Sequence, residues 1–307
     1  MVRPTSNRDA LPSEQLEFAV ATLEDPEALE RAVAGVDAVI HLASLLKVPW
    51  RADFQSVNVG GTRALLEACV SQASPPTVVF ISSLAAAGPA EDGGERTEED
   101  PPSPVSIYGR AKYAAEQLVD EFADRVSSTI LRPPMVYGPG DTASLPLFQT
   151  AAGGWHFTPR FRAMRLSTVF VDNLCAGIEL ALLRGERRPP SDTGSSSQGI
   201  YFVANDEVTT YGELGRKVGG AVGRDSVKVL RLPGWLSFLG ACVSEAWARL
   251  RGRAQILNRD KWREATAGDW VCCANRAKEQ LGWSPIGSLD ENLRRTADAY
   301  RQSGQLD

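Results

Sequence analysis

Histidine is nearly missing from this chain, with two residues in 307, and cysteine is scarce, with five. His41 ends an apolar run and reads as a hydrogen-bonded core residue, while His156, beside Trp155, reads equally as core or as substrate-facing; neither is assigned a catalytic role. Cys69, Cys175, Cys242, Cys272 and Cys273 show no metal-ligand spacing, so no metal is expected, and adjacent Cys272 and Cys273 read as packing residues rather than a vicinal disulfide. Excess positive charge is absent too: a net charge of −5 and a pI near 5.3 leave no electrostatic footprint for nucleic acid. No internal repeat and no signal peptide are visible, which makes the cytosol the default compartment.

What the chain does have is Tyr108-Gly-Arg-Ala-Lys112, following Ser83 in the segment Thr77-Val-Val-Phe-Ile-Ser-Ser-Leu-Ala-Ala-Ala-Gly88. On a helix, residues four apart share a face, so Lys112 is expected one turn beyond Tyr108 with its ammonium near the phenol oxygen. A phenol titrates near pH ~10, and proton transfer near neutrality needs its ionised form stabilised, which an adjacent cation does. Ser83, at the end of an apolar strand, is placed to hydrogen-bond a substrate carbonyl or alcohol beside that phenol. A tyrosine and a lysine at this spacing are also what a solvated helix face carries, so the pair gains weight from its surroundings.

Periodicity and breakers outline an α/β chain. Residues 17–22 read as a strand, 25–33 as a helix with an acidic N-cap and proline at its first position, and 38–43 as a buried strand. Residues 54–72 read as a long helix, 77–82 as a strand, 108–125 as a helix and 127–132 as a strand. Such alternation implies a parallel, doubly wound sheet with ligands at the carboxyl ends of its strands. Residues 184–198, rich in Arg, Pro, Ser and Gly, read as a surface loop. The apolar stretch 232–250, with Trp235, Phe238 and Trp247, is short of a spanning length; it reads as a core or lid helix in preference to a membrane-surface element.

The succession of Ser83, the Tyr108/Lys112 pair, Ser128-Thr-Ile-Leu-Arg-Pro-Pro134 and Val136-Tyr-Gly-Pro-Gly-Asp141 resembles the extended short-chain dehydrogenase/reductase family. That family includes nucleotide-sugar epimerases and dehydratases and the 3β-hydroxysteroid dehydrogenase-like enzymes. Val39-Ile-His-Leu-Ala-Ser44 resembles its fourth strand, whose carboxyl end borders the cofactor, and Val57-Asn-Val-Gly-Gly-Thr62 resembles the helix entry at which Asn58 shapes the site. Asp260-Lys-Trp-Arg, Leu281-Gly-Trp-Ser-Pro285 and Ser288-Leu-Asp-Glu-Asn-Leu293 resemble the C-terminal region of the 3β-hydroxysteroid dehydrogenase-like branch. One departure is large. Family members open with a strand and a Gly-x-x-Gly-x-x-Gly turn that seats the cofactor pyrophosphate, and Met1-Val-Arg-Pro resembles the end of the second strand instead. Gly60-Gly61, Gly138-Pro-Gly140 and Gly153-Gly154 lack the strand-turn-helix setting. The expectation is a Rossmann-like fold lacking its first strand between 17–22 and 38–43, with exposed apolar surface there, self-association and weak cofactor binding.

The resemblance implies a nucleotide-binding domain over 1–140 and, over 141–307, mainly a substrate lobe with segments returning to the first domain. Ser83, Tyr108 and Lys112 are the implied catalytic residues. Cofactor contacts are expected from Arg3, Thr22, Leu23, Leu42, Ala43, Asn58, Tyr108, Lys112 and Pro133. The cofactor is NADP or NAD, with a lean to NADP because Arg3 stands where an arginine faces the 2′-phosphate; an ordinary surface arginine is the alternative. Thr22-Leu23 replaces the acid that many relatives place beside the adenine. The implied activity interconverts a ketone and a secondary alcohol on a small apolar substrate, steroid- or lipid-like. Two alternatives stay open, a nucleotide-sugar epimerase or dehydratase and a cofactor-free, catalytically impaired homologue. A small-molecule substrate is the expected partner, and a homodimer is left open.

Overall fold

The computed structural model describes residues 1–6, 8, 11, 13–45, 55–91, 93–159, 163–190, 196–251 and 258–306. A four-stranded parallel sheet organises the N-terminal half, in the order β1 (Ala38–His41), β2 (Thr77–Ile81), β3 (Ser128–Arg132) and β8 (Ile200–Phe202). Strand β2 is a near-continuous apolar run, and every residue of β3 is buried, because the sheet is covered on both faces. Val78 and Phe80 point into one core with Leu29 of α1 (Pro26–Val33), Leu65 and Leu66 of α2 (Gly61–Val70) and Ala115 and Leu118 of α4 (Ile107–Glu121). Val79 and Ile81 point the other way, onto Leu174 and Ile178 of α6 (Val171–Arg184) and onto Trp283. Each fully covered side chain of this kind contributes roughly 1.5–3 kcal/mol.

Local signals set most of these boundaries. Asp25 caps α1, its carboxylate accepting from Ala28 N at 3.0 Å, and Pro26 occupies the first helical position, where a missing N–H costs nothing. The helix expected over 54–72 begins instead with a wide-turned segment, Gln55–Gly60, before the regular α2; Phe54 lies outside the described residues.

Two strand expectations change. The buried strand expected over 38–43 stops at His41 and forms the sheet edge, with Ile40 44 % and Leu42 59 % exposed. Only β2 pairs with it, so one side of β1 has no ladder partner among the described residues. The strand expected over 17–22 is reduced to one parallel bridge between Val2 and Val20, with Val2 N donating to Ala19 O and Ala21 N to Val2 O.

The C-terminal half forms a third core where Tyr137, Phe148, Leu214, Val218, Leu293 and Tyr300 meet. They come from β4 (Met135–Tyr137), α5 (Leu145–Ala152), α7 (Tyr211–Ala221) and α10 (Leu289–Gln302). Strand β4 pairs in parallel with β7 (Thr168–Phe170), and β5 (Trp155–Thr158) pairs in parallel with β10 (Lys228–Arg231); β6 (Arg165–Leu166) pairs antiparallel with β9 (Thr209–Thr210). The loop expected over 184–198 is anchored rather than free at its start. Arg188 is buried and its Nε donates to Asp120 Oδ1 of α4 at 2.6 Å; residues 191–195 lie outside the described residues.

Helix α8 (Gly234–Arg251) corrects a further expectation. Read as a core or lid helix, it instead leaves Trp235 70 %, Val243 62 % and Leu239 52 % exposed, and buries Ser237 and Ala241. The small residues sit on the inner face because the helix lies close to its neighbours there. Among the described residues, no helix is long and apolar enough to cross a membrane.

Candidate active site

The site is built where the carboxyl end of β2 meets the amino end of α4. Ser83 is extended and caps a short helix, α3 (Leu84–Ala87), its hydroxyl accepting from Ala85 N at 3.1 Å. Helix α4 is capped twice. Ser106 Oγ accepts from Gly109 N at 2.9 Å, and the Asp260 carboxylate, from α9 (Arg259–Ala267), accepts from Ile107 N at 2.9 Å and from Tyr108 N at 3.4 Å. Gly109 lets α4 close on α3, since a Cβ there would lie 2.3 Å from Ala85 O. That close approach brings Tyr108 onto Ser83.

The Ser83 hydroxyl stands close enough to the Tyr108 phenol to act on its proton affinity. Burial pushes the phenol up to about 12; Ser83 opposes the rise, the Glu264 carboxylate adds to it, and Ser44 opposes it. The buried Ser44 hydroxyl stands by the phenol without a bond of regular hydrogen-bond geometry. Helix α9 covers this side. Lys261 Nζ sits 6.0 Å over the Tyr108 ring and 2.5 Å from Glu264 Oε2, while Glu264 Oε1 is buried and unpartnered.

Lys112 follows Tyr108 by one turn on α4. Its Nζ donates to Ile81 O at 2.7 Å and stands 5.0 Å over the Phe80 ring, at the end of β2. Burial lowers its pKa to about 8, with Glu116 acting against that shift. The shared face of α4 is as expected, but the four-carbon stem reaches a strand carbonyl, and burial rather than a neighbouring cation governs the phenol. Glu116, one turn further on, is closed by a two-pronged pair with Arg132 of β3: Nε to Oε1 at 2.9 Å and Nη2 to Oε2 at 2.6 Å, both side chains almost fully buried. Tyr108, half-buried, and the buried Lys112 and Glu116 thus form a polar stripe along α4.

Several expected cofactor residues gather at the same sheet end. Asn58, buried, grips Leu45 by both backbone groups, accepting from its N at 2.8 Å and donating to its O at 3.2 Å, which pins the turn after Leu42 and Ala43. Pro133 O accepts from Leu84 N at 2.8 Å and ties the end of β3 to α3. Leu23 is half-buried against Gly61 of α2, and Thr22 precedes it. Arg3 is exposed beside the Val2–Val20 bridge, its backbone N donating to Ser6 Oγ, and it makes no ion pair among the described residues. Of the histidines, His41 shares a hydrogen bond with Thr62 Oγ1 at 2.9 Å and is lowered to about 3 by burial and then by Lys112. His156 is buried beneath Gly215 and against the Tyr211 ring. Ser44, Asp260, Lys261 and Glu264 escaped the sequence reading as site residues; the last three reach Tyr108 from the far end of the chain.

A family model described as the NAD dependent epimerase/dehydratase family matches residues 1–164. Ceramide reductase of Caulobacter vibrioides is 29 % identical over 292 residues, covering 95 % of this chain and 83 % of that protein. The 3beta-hydroxysteroid-dehydrogenase/decarboxylase isoform 1 of Arabidopsis thaliana is 25 % identical, covering 95 % and 68 %. Among solved structures, the UDP-glucose 4-epimerase of Thermus thermophilus in complex with NAD superposes with a TM-score of 0.73 at 22 % identity, covering 97 % of this chain and 88 % of that one. At that identity the likeness speaks to the fold alone.

Proposed function

Because the chain belongs to the NAD-dependent epimerase/dehydratase family, we propose that it is an NAD(P)-dependent reductase interconverting a ketone and a secondary alcohol on an apolar, lipid- or steroid-like substrate. The observation that carries this reading is the Ser83–Tyr108 hydroxyl pair at the carboxyl end of a parallel strand. Similarity to a ceramide reductase and to a steroid dehydrogenase supports the apolar substrate class. Residues 1–140 are proposed as the cofactor half and 141–307 as mainly the substrate lobe.

The donor set at the sheet end fits a nicotinamide ribose. An ammonium has three hydrogens, and Lys112 directs one at Ile81 O, which leaves donors for ribose hydroxyls. Leu42, Ala43 and Pro133 would border the same cofactor, and Arg3 would select NADP by a charge-assisted bond to the 2′-phosphate. When bound, the cofactor supplies or accepts the hydride.

In the reducing direction Tyr108 donates its proton to the substrate oxygen as negative charge develops there. Ser83 hydrogen-bonds the same oxygen and holds it against the phenol. A phenol held near 12 keeps its proton until such charge develops. Lys112, charged below about pH 8, would hold the nicotinamide ribose one turn along α4 from the phenol. Asp260, Lys261 and Glu264 lie over one side of this centre.

Tyr108→Phe tests the assignment. Turnover of a 3-oxo lipid should fall by about 10²–10⁴, while titration of NADPH or NADH should show nearly unchanged affinity, because the phenol's carbon frame and Lys112 remain. Retained turnover removes Tyr108 from the role, and turnover of nucleotide sugars alone removes the substrate class.

A further inference from the structure

We propose that α8 seats this protein on an anionic lipid bilayer, lying in the plane of the interface. Trp235, Leu239, Val243 and Trp247 recur at every fourth residue and are 70, 52, 62 and 50 % exposed. Leu236 and Phe238 add to the same surface. No charged residue occurs from Gly234 to Ser244, while the inner side presents the small Ser237 and Ala241. An apolar stripe of this size held in water is unusual for an unpartnered protein. Strand β10 leads into α8 and presents Leu230 beside Phe157 and Trp155, with Lys228 Nζ 5.2 Å over the Trp155 ring.

Charge decides what covers the stripe. Residues 226–258 contain Lys228, Arg231, Arg249, Arg251 and Arg253 against the single acid Glu245, in a chain whose net charge is −5. Glu245 is already paired with Arg259 at 2.8 Å. A cationic segment carrying tryptophan and leucine matches the headgroup and acyl boundary of an anionic membrane. A second copy fits poorly, since a two-fold contact would face this cationic segment with itself. As no helix among the described residues spans a bilayer, α8 is expected to lie flat, its 18 residues reaching about 27 Å.

The docking helix is also joined to the cover of Tyr108. Trp262 of α9 donates from Nε1 to Ser237 Oγ at 3.0 Å and packs on Phe238 with ring centroids 4.9 Å apart. Membrane contact through α8 therefore places α9, and the site beneath it, next to the bilayer.

The test needs neither substrate nor cofactor, so its failure is separate from failure of the redox reading. The full chain is floated with vesicles of phosphatidylcholine alone and of phosphatidylcholine with phosphatidylglycerol. Binding to the anionic vesicles, weakened by salt and reduced about tenfold or more in the triple variant Trp235→Ser, Leu239→Ser, Val243→Ser, is the expected result. The pair Lys228→Glu and Arg231→Glu, which leaves the apolar stripe intact, should reduce it as well. Binding to neither vesicle or to both alike overturns the proposal, as do variants that bind like the parent. Light scattering that shows a dimer which the triple variant converts to monomer also overturns it, and assigns the face to a second copy.

Discussion

Helix α4 carries a half-buried tyrosine and a buried lysine and glutamate along one face, whereas α8 leaves two tryptophans, leucines and a valine exposed. Both depart from the usual sorting of polar and apolar side chains, in opposite directions. In α4 the departure is compensated locally: Arg132 closes on Glu116, Ser83 and Ser44 face the phenol, and Lys112 finds a strand carbonyl. On the outer face of α8, Trp235, Leu239 and Val243 stay more than half exposed. A buried charge must be answered inside the fold, while an exposed apolar stripe is tolerated by the fold and answered from outside.

The sharpest way to break this contrast is Glu116→Gln. It leaves the Arg132 guanidinium buried without its counter-charge, and denaturant unfolding should show a loss of about 3–5 kcal/mol. A loss below about 1 kcal/mol, the surface-pair range, would mean that the pair does not organise the inner face of α4.

Lys112→Met should act with the opposite sign and depend on pH. Burial lowers the Lys112 pKa from 10.5 to about 8, so between those values the unfolded chain binds more protons than the folded one. The destabilisation from this lysine is complete below pH 8 and fades as pH rises toward 10.5. Removing the charge relieves up to about 3 kcal/mol at neutral pH, against about 1–3 kcal/mol for leaving the Ile81 carbonyl short of a donor. A net gain of about 1 kcal/mol is expected at pH 7, shrinking between pH 8 and 10. Thermal melts across that range check it; a parent whose melting temperature does not rise relative to the variant's over the window rules it out.

The smallest effect belongs to α8. The triple serine variant should change unfolding free energy by no more than about 0.5 kcal/mol, because the removed groups are solvated in the fold. A loss of several kcal/mol in dilute solution would show that the stripe is part of a folded core.

Much of the site was legible along the chain because its causes are local. Asp25 caps the helix that follows it within three residues, and β2 reads as an apolar run because both of its faces are covered. The spacing of Tyr108 and Lys112 put them on one face of α4. Exposure at β1 was expected from the family resemblance, which leaves no strand between 17–22 and 38–43, and Ile40 and Leu42 are exposed there; exposure at α8 was not legible, since a run such as Trp235 to Val243 has the same pattern whether or not something lies against it.

By itself, then, the sequence determined the alternation of strands and helices and placed Tyr108 and Lys112 on one face of the helix that follows the strand ending at Ser83. The tertiary structure decided where the Lys112 ammonium ends, that the apolar face of α8 is left exposed, and that Asp260, Lys261 and Glu264 lie over Tyr108. Asp260 meets the Tyr108 backbone across 152 residues of chain. Periodicity reports only which residues share a face within one element, whereas burial and long-range hydrogen bonds depend on which elements pack together, and those set the proton affinities of the site.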